Sequence, residues 1–149
     1  MSLARIGPEE AHICMCEKGA RYVDVRTVAE FDAGHPEGAY NVPWQVPGPH
    51  GLVENPGFLE EMRATFDSEE LLVVGCATGV RSLAAAQALL GAGFRHVVEQ
   101  RAGYDGVRDP FGGVRERGWQ ELGLPCAWRA QAGRDHAAIR RTCKEPEPG

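Results

Sequence analysis

Residues 71–90 have the sequence LLVVGCATGVRSLAAAQALL, which contains the clearest fold pattern in the chain. The run at 71–74 is apolar without polar alternation, which is typical of a strand covered on both faces in a parallel sheet. Residues 82–90 are rich in Ala and Leu without a helix breaker, and they predict a helix that ends at Gly91 and Gly93. The stretch therefore predicts a buried strand, a short loop and a helix.

Strands and helices alternate on both sides of this stretch. Hydrophobic patterns and turn residues predict strands at 22–25, 39–42 and 96–99, helices at 8–18 and 58–66, one or two helical turns at 28–32 and a loop over 43–56. Strands that alternate with helices favour a parallel sheet with right-handed crossovers. We therefore expect an α/β fold of three layers, in which helices flank a central, mainly parallel sheet.

The length of the chain indicates one domain. With 149 residues the chain can close one hydrophobic core but is short for two. We expect this domain over residues 1–128, with a short helix at 114–122. Residues 129–149 are predicted to be a C-terminal extension that is weakly helical, around 131–141, or disordered, as the ending KEPEPG at 144–149 suggests.

The composition argues against several classes of function. A net charge of −5, without a long run of Lys or Arg, argues against a nucleic-acid partner. No stretch is apolar and long enough for a membrane span or a signal peptide, so we expect no membrane contact and a cytoplasmic location. Five cysteines, an odd and scattered set, favour free thiols in a reducing compartment.

Cys76 lies where the predicted strand passes into the loop. Ligands bind at the carboxyl ends of strands in open α/β sheets, and the helix that follows presents unpaired N–H groups and a partial positive charge. A helix N-terminus and a neighbouring Arg can lower the pKa of a free thiol from its usual value of ~8.5. Gly79 permits a positive φ, so that loop amides can turn inward, and Arg81 adds a permanent charge. These residues indicate a nucleophile inside a cradle for an anion.

The cysteines also have simpler interpretations. Cys76 taken alone is compatible with a small buried residue at a strand end, since a free cysteine is often only packed. Cys14 and Cys16 would point about 200° apart on a helix, so they cannot share a ligand there, and we expect no metal site. Cys126 or Cys143 could act as a resolving thiol if folding brings it near Cys76.

Residues 76–82, CATGVRS, resemble the active-site loop of the rhodanese-like sulfurtransferases, in which Cys-x-x-Gly-x-Arg is followed by Ser or Thr. A second similarity lies upstream, where YVDVR at 22–26 and GHPEGAYNVP at 34–43 resemble the N-terminal signature of that family in the expected order. A third and looser similarity is GWQELGLP at 118–125. The resemblance covers roughly residues 6–128.

The resemblance implies a rhodanese-like domain with a five-stranded central sheet and an activity of sulfur transfer. Cys76 would be the catalytic residue that carries a persulfide. The loop residues Ala77, Thr78, Gly79, Val80 and Arg81 would bind the substrate. Arg101 is also expected to bind it from the edge of the pocket, beside Ala102 and Gly103, where many members of the family have two glycines. Asp24, Arg26 and Ser82 would support the pocket, although the Asp24 and Arg26 pair is equally consistent with a structural ion pair. His35, in a loop between Gly and Pro, is expected to hold that loop by hydrogen bonds.

The same resemblance implies a set of partners and requires no cofactor. The expected donors are thiosulfate and persulfides, including a protein persulfide, and the expected acceptors are cyanide and thiols. One alternative is a non-catalytic rhodanese-like module that binds a partner or senses redox state, but the retained Cys, Gly and Arg favour an enzyme. Arsenate reductases and dual-specificity phosphatases place five residues between Cys and Arg, whereas four intervene here. The shorter loop fits a single sulfur better than a tetrahedral oxyanion.

Overall fold

The structure is a computed structural model that describes residues 3–144, and in it short strands alternate with helices. The strands are, in chain order, β1 (Ala4–Ile6), β2 (Arg21–Asp24), β3 (His35–Pro36), β4 (Tyr40–Asn41), β5 (Gln45–Gly48), β6 (Gly51–Glu54), β7 (Leu71–Gly75), β8 (His96–Gln100), β9 (Val107–Arg108), β10 (Val114–Glu116) and β11 (Cys126–Ala127). The helices are α1 (Pro8–Lys18), α2 (Val28–Asp32), α3 (Phe58–Thr65), α4 (Arg81–Gly91) and α5 (His136–Lys144).

The central sheet has the strand order β1–β8–β7–β2–β4, and each of its pairings is parallel. Successive side chains of a strand point to opposite faces, so alternate residues of β7 enter two different hydrophobic clusters. Leu72 and Val74 pack in the cluster that includes Met62 of α3 and Leu89 of α4, whereas Val73 packs in the cluster that includes Ala11 of α1. Helices therefore cover both faces, and the predicted three-layer α/β fold with a five-stranded parallel sheet is confirmed.

Helices α1 and α2 lie close to their predicted positions because local signals mark their ends. Helix α1 begins at Pro8 and ends before Gly19, whose φ is 68°. Helix α2 opens with a capping box, in which the side chains of Thr27 and Glu30 bind each other's backbone amides. The capping box also fixes the position of the Glu30 carboxylate, which belongs to the site described below.

The prediction of a loop over 43–56 is wrong, because this segment contains the antiparallel hairpin of β5 and β6. Gly48 pairs with Gly51 across its turn, so the glycines and prolines that suggest a loop mark the turn of a hairpin instead. All four residues of β6 are exposed, which explains why the segment shows no hydrophobic pattern.

The prediction of a helix at 114–122 is also wrong. Strand β10 pairs with β9 in an antiparallel arrangement. The turn between the two strands is held by Asp109, whose carboxylate accepts hydrogen bonds from the amides of Phe111 and Gly113 at 2.8 and 2.9 Å. A local turn signal therefore overrides the apparent helical pattern.

Strand β1 is absent from the sequence-based expectations because three residues are too few to show a period. It pairs in parallel with β8, with Ala4 opposite Val98 and Arg5 opposite Glu99. This pairing extends the sheet beyond β8 and brings Arg5 to the neighbourhood of the loop at residue 76.

The C-terminal part of the described chain forms helix α5. The weak helix predicted at 131–141 begins later, at His136, and continues to Lys144. Of the ending predicted to be disordered, 144–149, Lys144 is the last residue of α5 and residues 145–149 lie outside the described residues. The domain boundary at residue 128 stays a prediction.

Helix α5 packs on α3 and contributes to the core. Ile139 is 2% exposed and belongs to the same cluster as Met62 of α3. One turn earlier, the Nε2 atom of His136 lies 3.0 Å from Oε1 of the buried Glu61. An apolar and a polar contact therefore hold the helix in place.

We predict that Ile139→Ala lowers the free energy of unfolding by about 2–4 kcal/mol, because it leaves a cavity in the core. Ile13→Ala is the matched control, since it makes the same change in helix α1 at a side chain that is 51% exposed, and it should change stability by less than about 0.5 kcal/mol. Urea unfolding followed by circular dichroism measures both. Equal effects of the two substitutions would contradict a core role for α5.

Candidate active site

The loop at residues 76–80 connects the carboxyl end of β7 to the start of α4. Gly75 ends the strand, and the hydroxyl of Tyr22 occupies the space where a Cβ of residue 75 would lie. Helix α4 begins at Arg81 without a side-chain cap, so the N–H groups of its first turn have no partner from a capping side chain. The position of Cys76 between a strand end and a helix start agrees with the sequence-based expectation.

The sulfur of Cys76 lies within the loop and has two polar neighbours. The amide of Gly79 donates a hydrogen bond to Sγ at 3.1 Å, and Sγ lies 3.2 Å from Oγ of Ser82. Cys76 is 2% exposed and also packs in the core cluster, whereas Thr78 and Val80 are exposed on the outer side of the loop. The sulfur therefore has both an apolar and a hydrogen-bonding side.

Two carbonyls of the loop are held by the segment that follows β8. The amide of Tyr104 donates to the carbonyl of Cys76 at 2.7 Å, and the amide of Asp105 donates to that of Ala77 at 2.9 Å. Because the C=O and N–H of a trans peptide point in opposite directions, the amides of Ala77 and Thr78 face away from this segment. These contacts set the direction of the loop amides.

Glycines are required where the loop meets that segment. Gly79 has φ +87°, and a Cβ there would collide with the carbonyl oxygen of Arg101. Gly103 has φ +72°, and a Cβ there would collide with the carbonyls of Ala77 and Cys76. Because both residues are glycines with a positive φ, the loop and the segment after β8 can approach each other closely.

The guanidinium of Arg81 is bound to Glu30 of α2. It donates to both carboxylate oxygens, at 2.7 and 2.9 Å. This hydrogen bonding is the main reason that the pKa of Glu30 falls to about 2. Arg81 thus brings a positive charge to the loop at Cys76, but a carboxylate partly balances it.

Asp24 and Arg26 form a buried ion pair next to the site. The two side chains are joined by three side-chain contacts of 2.7 to 3.1 Å, and Arg26 also donates to the carbonyl of Gly34 at 2.6 Å. The Arg26 guanidinium lies 4.4 Å above the ring of Tyr104, whose backbone holds the loop. The contacts of the pair are those of a structural ion pair, and its support of the pocket stays a prediction.

The side chain of Arg101 points to a different part of the surface. It donates to both carboxylate oxygens of Glu116, at 3.0 and 2.7 Å, and to the carbonyl of Arg5 at 3.1 Å. It lines a cavity of about 390 Å³ together with the start of α1. Its backbone carbonyl, in contrast, packs on Gly79. A role of the Arg101 side chain in binding substrate stays a prediction.

Sequence patterns do not identify two buried polar residues, Glu99 and Gln100, at the end of β8. The side chain of Gln100 accepts hydrogen bonds from the amides of Ala102 and Gly103, both at 2.8 Å, and so shapes the turn that holds the loop. Glu99 accepts from Ser82 at 2.5 Å and from Arg5 at 2.6 Å. The available signal was the pair of polar residues that ends the otherwise apolar strand HVVEQ.

The other cysteines have separate surroundings, and all five are free thiols. Cys14 packs against the second core cluster, whereas Cys16 is exposed and lies 3.4 Å from Nε2 of His12. Cys126 donates to the carbonyl of Leu124, and Cys143 on α5 contacts the carbonyl of Glu60. The divergence of Cys14 and Cys16 agrees with helical geometry.

His35 holds its loop, in agreement with the sequence-based expectation. Its Nδ1 atom lies 2.8 Å from the carbonyl of Phe31, and its ring stacks on that of Phe31 with centroids 3.7 Å apart. The residue is buried, and it acts on the loop at residue 34 rather than on Cys76.

Comparisons with known proteins agree on one family. The family model for the rhodanese-like domain matches residues 9–109. The chain is 42% identical over 107 residues to Thiosulfate sulfurtransferase 16, chloroplastic, of Arabidopsis thaliana, which covers 72% of this chain and 79% of that protein. It is 34% identical over 107 residues to Thiosulfate sulfurtransferase GlpE of Haemophilus influenzae, which covers 71% and 89%.

A solved structure supports the same fold. Rv0390 from M. tuberculosis matches with a TM-score of 0.70 and 28% identity, over 86% of this chain and all of that one. Two further sequence relatives are longer, and the chain spans 49% and 50% of their lengths.

We predict that Gly103→Ala destabilises the protein more than Gly123→Ala does. Both glycines have φ +72°, but a Cβ at residue 123 meets nothing within 4 Å. Gly123→Ala should therefore cost only the backbone strain, about 1 kcal/mol, and Gly103→Ala should cost about 2 kcal/mol more because the loop carbonyls must move.

Urea unfolding measures this difference, and the NMR resonance of the Gly79 amide reports on the loop. The resonance should shift in Gly103→Ala and not in Gly123→Ala. Equal stabilities with an unshifted resonance would contradict the packing described here.

Proposed function

The chain belongs to the rhodanese-like domain family, and we propose that it is a sulfurtransferase that carries sulfane sulfur as a persulfide on Cys76. The observation that carries this proposal is the hydrogen bond of 3.1 Å from the Gly79 amide to the Cys76 sulfur, at the start of an uncapped helix. Such a site stabilises a negatively charged sulfur. Two relatives whose names contain thiosulfate sulfurtransferase add support.

The proposed reaction consists of two displacements at sulfur. The Cys76 thiolate attacks the outer sulfur of thiosulfate, whose S–S bond breaks with its electron pair on the departing sulfite. A new S–S bond then joins Cys76 to the transferred sulfur. Cyanide or a thiolate attacks that outer sulfur, takes it as thiocyanate or a persulfide, and releases Cys76 as a thiolate. A small-molecule or protein persulfide serves as donor by the same chemistry.

We propose that the loop amides bind the outer sulfur of the persulfide. The amides of Ala77 and Thr78 face away from the segment that holds the loop carbonyls, and those of Val80 and Arg81 lie at the uncapped start of α4. Preorganised amides stabilise a charge without the reorganisation that water requires. Ser82 supports the same site through its contact with Sγ.

Burial and charge pairing favour a donor with one accessible terminal sulfur. Cys76 is 2% exposed, so a donor must approach it end-on. The guanidinium groups of Arg81 and Arg101 are each bound to a glutamate, so neither is a free cation. We propose that Arg81 orients the donor at the loop and that Arg101 acts at a greater distance, as an electrostatic guide for anions.

The partners that this function requires are small sulfur compounds and thiols. Within residues 3–144, each helix is too short or too polar to cross a lipid bilayer. A cytoplasmic location remains our prediction for this chain, and one relative is chloroplastic by name.

We predict that thiosulfate adds the mass of one sulfur atom to the wild-type protein and not to Cys76→Ser. The formation of thiocyanate from thiosulfate and cyanide should fall to background in the same variant, because serine does not form a persulfide. Cys143→Ser is the matched control. Cys143 lies on α5 and contacts the carbonyl of Glu60, so its substitution should leave both results unchanged.

Intact-protein mass spectrometry and a colorimetric thiocyanate assay make these measurements. A sulfur adduct that persists in Cys76→Ser would contradict the proposal, as would wild-type protein that forms neither adduct nor thiocyanate.

A further inference from the structure

We infer that Glu99 is a positioning residue that takes the proton of the Cys76 thiol through Ser82 and holds it while the sulfur carries negative charge. The inference rests on the proposed function for its place in a reaction, but its geometry is independent of it. Nothing in the family resemblance pointed to Glu99 or to Arg5, and neither was among the residues expected at the site.

A continuous line of hydrogen bonds leads away from the sulfur. Cys76 Sγ lies 3.2 Å from Ser82 Oγ, and Ser82 Oγ donates to Oε2 of Glu99 at 2.5 Å. The second oxygen of Glu99 accepts from Nε of Arg5 at 2.6 Å. The line thus connects residues of four elements or loops and ends on the strand β1.

This line is closed to solvent except at its end. Ser82 and Glu99 are fully buried and Cys76 is 2% exposed, whereas the side chain of Arg5 is 43% exposed. A buried carboxylate is costly unless charged or polar groups bind it, and here Ser82 and Arg5 do so. The arrangement leaves Cys76 with one acceptor for its proton, the Ser82 hydroxyl, which in turn donates to Glu99.

The proton transfer balances within these three residues. The thiol proton of Cys76 moves to Ser82 Oγ as the hydroxyl proton of Ser82 moves to Oε2 of Glu99. Cys76 becomes a thiolate, Glu99 becomes a neutral acid and Ser82 is again a hydroxyl. When the acceptor has taken the outer sulfur and Cys76 leaves as a thiolate, the reverse transfer returns the proton.

The transfer keeps the buried charge constant. Before it, Glu99 carries the negative charge, and after it the sulfur does, next to the Gly79 amide and the start of α4. Forming a thiolate without this transfer would place two anions in one buried site, which is unfavourable at short range. The relay therefore moves an existing charge to the reacting atom.

Other titratable groups near Cys76 lie on β2, α4 and β1. On β2, burial raises the pKa of Tyr22 far above its ordinary value, so its phenol stays neutral. On α4, Arg81 stays paired with Glu30, whose pKa is about 2. Asp24, also on β2, lies opposite Gly75 and is bound by the guanidinium of Arg26, and Arg5 is a permanent cation. Glu99 differs from these groups because the Ser82 hydroxyl connects its carboxylate to the thiol.

The relay has a kinetic signature because the two arrangements of the proton contain the same number of protons. Their ratio is then independent of pH between the two titrations of the coupled pair. A reagent that traps the thiolate should therefore react with Cys76 at a rate that does not change with pH on the acidic side of the thiol titration. We call this pH-independent part of the rate profile the shelf. A thiol without the relay should instead lose about tenfold in rate per pH unit.

The test measures alkylation of Cys76 by iodoacetamide from about pH 5 to about pH 9, the range in which a cysteine thiol titrates, with the Cys76 peptide quantified by mass spectrometry. Wild type should show the shelf. Glu99→Gln, which has no carboxyl to hold the proton, should show no shelf and the tenfold dependence. Glu69→Gln is the matched control, since this exposed glutamate pairs with Arg95 and should leave the profile unchanged.

Two variants of Ser82 separate the relay from a structural role of the Glu99–Arg5 pair and remain informative if Glu99→Gln does not fold. Ser82→Ala removes the hydroxyl that binds both Cys76 and Glu99, so the shelf should disappear. Ser82→Thr keeps a hydroxyl and should retain the shelf. A wild-type profile without a shelf overturns the inference. So does a shelf that persists in Glu99→Gln or in Ser82→Ala.

Alkylation does not require sulfur transfer, so the two proposals fail separately. A shelf in a protein that forms no persulfide would reject the sulfurtransferase and keep the relay. A persulfide in a protein whose pH profile is the same with Gln at residue 99 would reject the relay and keep the sulfurtransferase.

Discussion

The direction of two peptide carbonyls controls the geometry of the whole site. The carbonyls of Cys76 and Ala77 are held by the amides of Tyr104 and Asp105, so the amides of the loop turn the other way. The Gly79 amide can then donate to the sulfur. The turn that supplies the holding amides is itself shaped by the side chain of Gln100, at the end of the neighbouring strand. The end of strand β8 thus determines the conformation of the loop that follows the neighbouring strand β7.

The charged side chains near the loop occur in ion pairs, which limits the positive charge that any single arginine contributes at Cys76. The pairs are Arg81 with Glu30, Arg5 with Glu99, Arg26 with Asp24 and Arg101 with Glu116. Each arginine therefore acts together with a carboxylate, and the Gly79 amide is the backbone group that donates a hydrogen bond to the Cys76 sulfur. This arrangement suits a site in which negative charge appears on sulfur and disappears again in each cycle.

Local patterns predicted the central sheet and the loop because these residues carry strong signals. The apolar run of β7, the Ala-rich helix α4 and the order Cys76, Gly79, Arg81 lie within residues 71–91. Strand β1 was missed because it has only three residues, and the hairpin was missed because β6 is exposed throughout and glycines and prolines mark its turn. The polar end of HVVEQ marks Glu99 as unusual, but its partners could not be predicted because its contacts with Arg5 of β1 and Ser82 of α4 exist only in the folded chain.

A crystal structure of the protein after treatment with thiosulfate would locate the transferred sulfur. We expect one additional sulfur atom bonded to Cys76 Sγ, within about 3.5 Å of backbone amides from residues 77–81. An outer sulfur packed against aliphatic side chains, with those amides directed elsewhere, would contradict this expectation. Additional sulfur on a different cysteine would contradict it as well.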